Sequence, residues 1–248
     1  MNLLNEFLNI YHQSGFLMNN YYEGIHNLKH LFSQNKFTLE CENNSFFFYE
    51  KDTKLMHYFI NENTEFKLKP SYVKIMFRNE KDLEKHKSFL EKNHFHLEQK
   101  NTQMVLRNKN LQLSKFDFID KAKKSNYKEI YNFLLNFFDP NSTLDSSVIK
   151  SALKENNIIL HKENKIIKSV LIFKTTLGGS YLEKIAVDKE NLEHKNAAFA
   201  LLNHFFIENQ KAPFFKLFVR DDNEKAIKFY KRAGFEFNTT KLHFYRNF

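Results

Sequence analysis

Two hydrophobic periodicities alternate along the second half of the chain. Residues 125–138 carry apolar side chains at positions 127, 130, 131, 134, 135 and 138, a spacing that places them on one face of a helix. Other runs are apolar at every second residue or throughout. Turn residues such as Glu163-Asn164 and Gly178-Gly179 lie at the ends of these runs, which is typical of strands. The pattern predicts strands at 115–122, 158–161, 166–175, 181–187, 214–220, 235–237 and 241–245, and helices at 125–138, 146–155, 193–209 and 223–233. This alternation indicates an α/β fold of mixed α+β type.

A weaker signal is an internal repeat. The segment 74–108 can be laid over 216–247 so that, after a shift of about two residues, Phe95 falls on Phe235. Both segments read strand, turn, helix, strand, strand, which implies two related halves. The alternative is that two unrelated α/β units end alike in a chain rich in Lys and Phe. The repeat predicts two domains, 1–113 and 114–248.

The first half, if related to the second, lacks one crossover helix. Between its predicted strands at 54–61 and 72–78 the chain has only the residues NENTEFKLKPS. The second half has a whole helix in the corresponding place. The two halves therefore differ in an element that joins two parallel strands.

Composition narrows the class of protein. Apolar residues make up 42% and charged residues 27% of the 248 positions, and 29 of them are Phe, which argues against a disordered chain. The single cysteine, Cys41, excludes an internal disulfide. No run approaches the ~20 apolar residues of a membrane span, and no basic region precedes the apolar N-terminal stretch. We therefore expect a cytoplasmic protein with no membrane partner.

Positive charge is concentrated in the second half. Of the formal net charge of +9, residues 1–114 contribute +2 and residues 115–248 contribute +7. This excess would attract an anionic ligand at long range. Acidic residues are interspersed among the basic ones, which is typical of a solvated surface and argues against a nucleic-acid partner.

The most specific motif lies near the C-terminus. After a predicted strand that ends in Val219-Arg220, the chain reads NEKAIKFYKRAGF from Asn223 to Phe235, or Asn-x-x-Ala-x-x-Phe-Tyr-x-x-x-Gly-Phe. This pattern resembles the C-terminal motif of the GNAT (N-acetyltransferase) superfamily. The preceding strand and helix, with Ile185-Ala186-Val187 and Ala200-Leu201-Leu202, also resemble that family. The alternative is an ordinary amphipathic helix that ends at a glycine.

The resemblance implies a tandem GNAT-like fold, with a mixed twisted sheet flanked by helices. The second half would be complete, and the first half would be a degenerate repeat without the phosphate-binding helix and without a cofactor site. Acetyl-CoA, or another acyl-CoA, would be the co-substrate, and no metal is required. Strand backbone would bind the pantetheine arm, and the next helix N-terminus the pyrophosphate. The cofactor-binding residues that the resemblance implies are Ile185, Ala186, Val187, His194, Lys195, Asn196, Ala197, Ala198, Asn223, Ala226 and Phe229.

One segment departs from the family pattern. The family's phosphate loop usually reads Gln/Arg-x-x-Gly-x-Gly/Ala, and here the aligned residues 193–198 read EHKNAA. Ala198 fits the pattern, whereas Asn196 replaces a glycine and Glu193 adds negative charge. Nearby Lys189, His194 and Lys195 would offset that charge. This departure motivates an alternative, in which the protein is a non-catalytic acyl-CoA-binding or regulatory module.

Two residues are candidates for proton transfer. Glu183, on the strand beside the thioester, would accept the proton of the attacking amine. The alternative is a solvent-facing glutamate paired with Lys184 or Lys174. By family analogy Tyr230 would protonate the departing CoA thiolate, and its alternative role is packing between helix and sheet. The strand residues Leu217-Phe218-Val219-Arg220 lack the Glu that is common in relatives that acetylate protein N-termini.

These observations predict an N-acyltransferase, most simply an acetyltransferase, that moves an acyl group from acyl-CoA to a primary amine by direct attack. The acceptor is an amine-bearing small molecule or a peptide, and the chain acts as a monomer or a homodimer. The i, i+2 pair His94 and His96 would share a strand face, but no further Cys or His motif completes a metal set.

Overall fold

The computed structural model describes residues 3–107, 111–140, 144, 146–188 and 196–248. The chain divides into two compact units, and several segments pass from one to the other. Each unit is built from segments that are not contiguous in the sequence, so no single boundary in the chain divides the two units. The domain boundary between residues 113 and 114 therefore stays a prediction. Unit 1 comprises Met1–Thr102, Arg220–Asp222 and Thr239–Phe248, and unit 2 comprises Gln103–Val219 and Asn223–Asn238.

The described residues form α-helices and β-strands in the following order along the chain. They are α1 (Leu3–Gln13), β1 (Met18–Asn19), α2 (Ile25–Ser33), β2 (Phe37–Glu42), β3 (Ser45–Glu50), β4 (Met56–Ile60), β5 (Tyr72–Phe77), α3 (Glu80–Lys92), β6 (His96–Arg107), β7 (Ile119–Lys121), α4 (Tyr127–Leu134), α5 (Ser146–Lys154), β8 (Ile158–Glu163), β9 (Ile166–Thr176), β10 (Gly179–Val187), α6 (Ala197–Glu208), β11 (Phe214–Arg220), α7 (Glu224–Arg232) and β12 (Glu236–Arg246).

In unit 1, an antiparallel sheet of order β1-β4-β3-β2 is buried on both faces. Successive side chains of a strand point to opposite faces, so β3 is apolar at nearly every position. Phe46 and Phe48 lie in one core with α1 and α2, and Phe47 and Tyr49 lie in a second core with β5 and α3. The last residues of β12 complete this unit by pairing antiparallel with β5.

In unit 2, strands β7 to β11 lie in the order β11-β10-β9-β8-β7. Their pairs are antiparallel except β10 with β11, which are parallel and are joined by a crossover that contains α6. Helices α6 and α7 pack on one face of this sheet in what we call the α6/α7 core, and α4 and α5 pack on the opposite face. A mixed sheet flanked by helices is therefore confirmed.

Three groups of predicted residues differ clearly from the observed elements in extent or in number. The strand predicted at 115–122 is reduced to Ile119–Lys121, because side chains of α6 take the backbone groups before it: the Ser114 N–H donates to Asn203 Oδ1 at 3.1 Å. The helix predicted at 125–138 is α4 alone, preceded by a short 3-10 turn. The two C-terminal strands are one strand, β12, since Asn238 donates to Gln103 Oε1 at 2.9 Å instead of forming a turn.

The prediction that His94 and His96 share a strand face is wrong. His94 has a φ of 57° and lies in the turn that follows α3, and only His96 belongs to β6. The left-handed conformation at this position ends the helix, as Gly234 does after α7 with a φ of 90°.

Candidate active site

The two parallel strands of unit 2 separate partway along their length. Cα pairing between β10 and β11 runs from Ser180 with Phe215 to Leu182 with Leu217. Beyond that rung β10 continues to Val187 and β11 to Arg220, and these described residues show no further Cα pairing between the two strands. Over these residues the backbone on the β11 side of β10 therefore no longer pairs with β11, and a gap opens between the two strands.

A bulge at Glu183 causes this separation. Leu182 pairs with Phe173 of β9, and Lys184 pairs with the very next residue, Ile172, so Glu183 is an extra residue in β10. Because a bulge shifts the side-chain alternation by one residue, Ile185 joins Leu182 in facing the α6/α7 core. The structure thus places the predicted base at the point where the strands part.

The predicted pantetheine-binding residues follow the bulge. Ile185 and Val187 pack against the α6/α7 core, whereas the Ala186 side chain is buried on the opposite face among the residues of α4 and α5. All three pair through their backbones with β9 on the far side of β10. Their side chains therefore point to both faces of the sheet. The backbone groups of these three residues, and not their side chains, line the opening between β10 and β11.

Helix α6 begins with two small residues, Ala197 and Ala198. Asn196 precedes the helix and is exposed, and its side chain does not cap the helix. The first intrahelical bond runs from the Ala200 N–H to the Asn196 carbonyl at 2.9 Å, which leaves the amide groups of Ala197 and Ala198 without an intrahelical acceptor. Such amide groups, at the positive end of the helix dipole, favour an anion. His194 and Lys195 lie outside the described residues.

The C-terminal motif forms α7, and its first residue, Asn223, caps the helix. Asn223 Oδ1 accepts a hydrogen bond from the Ala226 N–H at 3.1 Å, and Asn223 is otherwise exposed. Ala226 and Phe229 are half-buried against the α6/α7 core. Gly234 ends the helix, and a Cβ there would lie 3.2 Å from Leu106 Cδ1, which together with its positive φ explains the glycine.

Tyr230 is buried more deeply than a surface acid would be. Its side chain is 5% exposed and lies in the α6/α7 core with Leu182 and Leu217. Its ring packs against Phe229 and Phe235, with centroids 5.3 Å and 5.8 Å away. Burial raises the pKa of the Tyr230 hydroxyl, so it remains protonated at neutral pH.

Sequence reasoning missed a pair of residues on the opposite face of the opening. Tyr181 and Lys216 are directly paired across β10 and β11, one rung before the strands part. Lys216 Nζ donates to Tyr181 Oη at 3.2 Å and lies 5.2 Å from the Tyr181 ring centroid and 5.7 Å from that of Phe214. Only the register of the parallel pair reveals this contact, because the two residues are 35 positions apart.

The concavities found on the surface of unit 2 lie away from the opening. One of about 400 Å³ lies between α4 and the β8–β9 turn, where Phe133 and Ile166 line it. Another of about 400 Å³ lies at the end of α7 beside Phe235 and Phe237. Neither includes a predicted site residue.

Two further properties concern the part of the chain that the structure describes. No helix there is both long enough and apolar enough to cross a membrane. No group of three or more His, Cys, Asp or Glu side chains comes together there in the manner of a metal site.

Comparison with known proteins identifies the fold. No protein-family model and no curated protein matches this chain. Among solved structures, a Drosophila protein aligns over 99% of this chain and 97% of its own, at 9% identity and a TM-score of 0.59. A putative GNAT acetyltransferase from Novosphingobium aromaticivorans aligns over 86% and 92%, at 8% identity and a TM-score of 0.56.

A third structure, a GCN5-related N-acetyltransferase from Sphaerobacter thermophilus, aligns at 15% identity and a TM-score of 0.53. The alignment covers 71% of this chain and 59% of that protein. The fold is thus that of the GNAT acetyltransferases. At these identities the likeness describes the fold alone.

Proposed function

We propose that this protein is an acyl-CoA dependent N-acyltransferase, with acetyl-CoA as the simplest donor and a primary amine as acceptor. The observation that carries the proposal is the end of β10–β11 pairing at Leu182 and Leu217, with both strands continuing beyond. An extended chain with amide groups can bind in such a gap as a missing strand would. The pantetheine arm of acyl-CoA is a chain of this kind.

The surrounding residues fit the rest of the cofactor. Backbone groups of Ile185, Ala186 and Val187 would bind the pantetheine amides. The amide groups of Ala197 and Ala198 would bind the pyrophosphate, with His194 and Lys195 adding positive charge. The exposed cap Asn223 and the half-buried Ala226 and Phe229 of α7 would line the other side.

The reaction needs a proton acceptor and a proton donor. Glu183, at the bulge, would take the proton from the amine, because a protonated amine is not a nucleophile. The amine nitrogen then forms a bond to the acyl carbon as the carbon–sulfur bond breaks. Tyr230 would protonate the thiolate, and a backbone N–H near Ala186 would polarise the acyl oxygen. The position of Tyr230 supports this role, because its side chain lies in the α6/α7 core with Leu182 and Leu217, the residues at which the two strands part.

We further propose that the two halves are related and that the first has no cofactor site. The observation in favour is that α3 and α7 begin and end alike. Asn79 Oδ1 accepts from the Asp82 N–H at 3.1 Å, as Asn223 does in α7. Each helix ends at a residue of positive φ that precedes a buried phenylalanine, Phe95 or Phe235.

Calorimetric titration of the full chain with acetyl-CoA tests the proposal, together with release of the CoA thiol in the presence of a panel of amines. We expect one binding site per chain and amine-dependent thiol release. A stoichiometry of two would contradict a cofactor-free first half. Tight binding without acylation of any amine would favour the non-catalytic module instead. The cytoplasmic location stays a prediction.

A further inference from the structure

A row of two lysines and a tyrosine crosses three strands of unit 2 at the opening. Tyr181 of β10 is paired with Lys174 of β9 on one side and with Lys216 of β11 on the other. Residues directly opposite each other on neighbouring strands point to the same face of a sheet. Lys174, Tyr181 and Lys216, which we call the lysine row, therefore share one face.

The lysine row lies on the face opposite the α6/α7 core. The next residue after Tyr181 and the next after Lys216 are Leu182 and Leu217, and both are buried in that core. Neighbouring strand residues alternate between faces, so the row points away from Tyr230. A group held in the gap between β10 and β11 has the packed core on one side. An amine must approach from the other side, where the lysine row lies.

Within the part of the chain that the structure describes, no carboxylate pairs with the lysines of the lysine row. Neither Lys174 nor Lys216 forms an ion pair with a described residue, whereas Lys168 and Lys162 on neighbouring strands do, with Asp188 and Glu129. Lys216 is half-buried, and its ammonium is held by the Tyr181 hydroxyl and two aromatic rings. A half-buried cation without a counter-ion favours binding of an anion.

Tyr181 adds a second donor to this arrangement. Its hydroxyl oxygen accepts a hydrogen bond from Lys216 Nζ at 3.2 Å, so its own proton is directed elsewhere. An anion beside Lys216 could accept from both the ammonium and the phenol. Charge-assisted hydrogen bonds of this kind are about twice as strong as neutral ones.

We infer that the acceptor is an amine that also carries an anionic group, a carboxylate or a phosphate, and that Lys216 and Tyr181 bind that group while the amine faces the opening. This inference rests on the proposed function. It names the class of acceptor, namely amino acids, acidic peptides or phosphorylated amines, as opposed to neutral or cationic amines.

Paired acceptors test the inference on the full chain. Each pair differs only in the anionic group: phenylalanine with phenylalaninamide, and glucosamine 6-phosphate with glucosamine. The first measurement is the kcat and KM of CoA thiol release. The second, which needs no turnover, is calorimetric titration of the CoA-saturated protein with each compound. The carboxylate and phosphate pairs also distinguish the two possible sources of the anion.

We expect at least one anionic compound to be preferred over its neutral partner by about tenfold or more in KM and in Kd. Lys216→Gln should reduce that preference to within about twofold, while Lys216→Arg should retain it. Lys231→Gln is the matched control. Lys231 lies on α7, and its Nζ also packs on an aromatic ring, 5.2 Å from the ring centroid of Phe237. Thermal unfolding of each variant verifies the fold.

Equal KM and Kd values within both pairs would overturn the inference, as would a preference that survives Lys216→Gln. Binding of a single-stranded RNA oligonucleotide that is lost in Lys216→Gln would assign the lysine row to nucleic acid and would overturn it as well. Lys216-dependent binding of an anionic compound without acylation would support the anion site and refute the transferase. Acylation of neutral amines alone would support the transferase and refute the anion site.

Discussion

Leu182 and Leu217 form the last rung that joins β10 to β11, although both strands run on past it. The cause is local, because Glu183 is inserted into β10 as a bulge immediately after Leu182. A parallel pair that parts in this way leaves room inside a sheet for an extended ligand to bind along the strand backbone.

Ala198→Asp should weaken the binding of acetyl-CoA without lowering the thermal stability of the protein. An acidic residue in the first turn of α6 interacts favourably with the helix dipole, so the melting temperature should be unchanged or slightly raised. The same charge would repel a pyrophosphate, and the Kd for acetyl-CoA should rise about tenfold or more. Calorimetry measures the Kd, and Ser146→Asp in the first turn of α5 is the control. Equal effects of the two variants on the Kd would contradict a phosphate site at α6.

Asn223→Ala and Asn79→Ala form a matched pair, because both asparagines cap a helix with the same 3.1 Å bond. Each substitution should lower the free energy of unfolding by about 1 kcal/mol. Only Asn223→Ala should also weaken binding of acetyl-CoA, since we place the cofactor in the second half alone. Urea unfolding and calorimetry together check this prediction. A comparable loss of affinity in Asn79→Ala would argue for a site in the first half.

Tyr230→Phe should lower kcat by about 10²- to 10³-fold, the usual contribution of a general acid. The KM for acetyl-CoA should stay the same, because no binding group is removed. Stability should also change little, since no described residue shares a hydrogen bond with the Tyr230 hydroxyl. Tyr131→Phe on α4 serves as the control. If kcat is retained in Tyr230→Phe, Tyr230 only fills the core.

The pH dependence of turnover should show no alkaline decline caused by Tyr230 below about pH 10, the ordinary pKa of tyrosine. Burial raises the pKa of Tyr230, and the protonated form is the active one, so activity is lost only as pH rises through the raised value. A kcat profile between pH 6 and 10 tests this expectation. A fall in kcat that begins near pH 8 and is absent in Tyr230→Phe would contradict it.

His86 should make unit 1 sensitive to acid. Burial, helped by neighbouring Lys85 and opposed by Asp82, lowers the pKa of His86 to about 4, and a hydrogen bond of 2.7 Å joins its Nδ1 to the Tyr58 hydroxyl. The neutral form belongs to the folded state, so this stability is present above pH 6.5 and is lost as the pH falls toward 4. The loss should reach about 3 kcal/mol in the free energy of unfolding.

Urea unfolding between pH 7 and pH 4 measures this loss, and His86→Gln should flatten the slope. His12→Gln is the control, because His12 is exposed on α1. An unchanged slope in His86→Gln would show that another group is responsible.

Local patterns predicted most of the elements near the site. The strand at 214–220 and the helix at 223–233 are both predicted from the sequence, because they depend on residues close together in the chain. The C-terminal strand was wrongly divided at Asn238, a residue typical of turns, because its partner Gln103 is 135 positions away. Distant pairing of this kind leaves no local trace.

The same reason limits prediction of the site. The motif at 223–235 indicated where a cofactor would lie, but the bulge at Glu183 depends on the register of β10 against β9, which no local pattern specifies. Likewise, Lys216 reads as an ordinary basic residue until parallel pairing places it beside Tyr181. Long-range register, more than residue type, decides which side chains meet at this opening.

The most direct test of the central claim is a crystal structure of the full chain with acetyl-CoA. Our account predicts electron density for the pantetheine arm between β10 and β11, beyond the rung of Leu182 and Leu217, with the phosphates at the N-terminus of α6. Two strands paired along their whole length, or acetyl-CoA bound elsewhere on the protein, would contradict it.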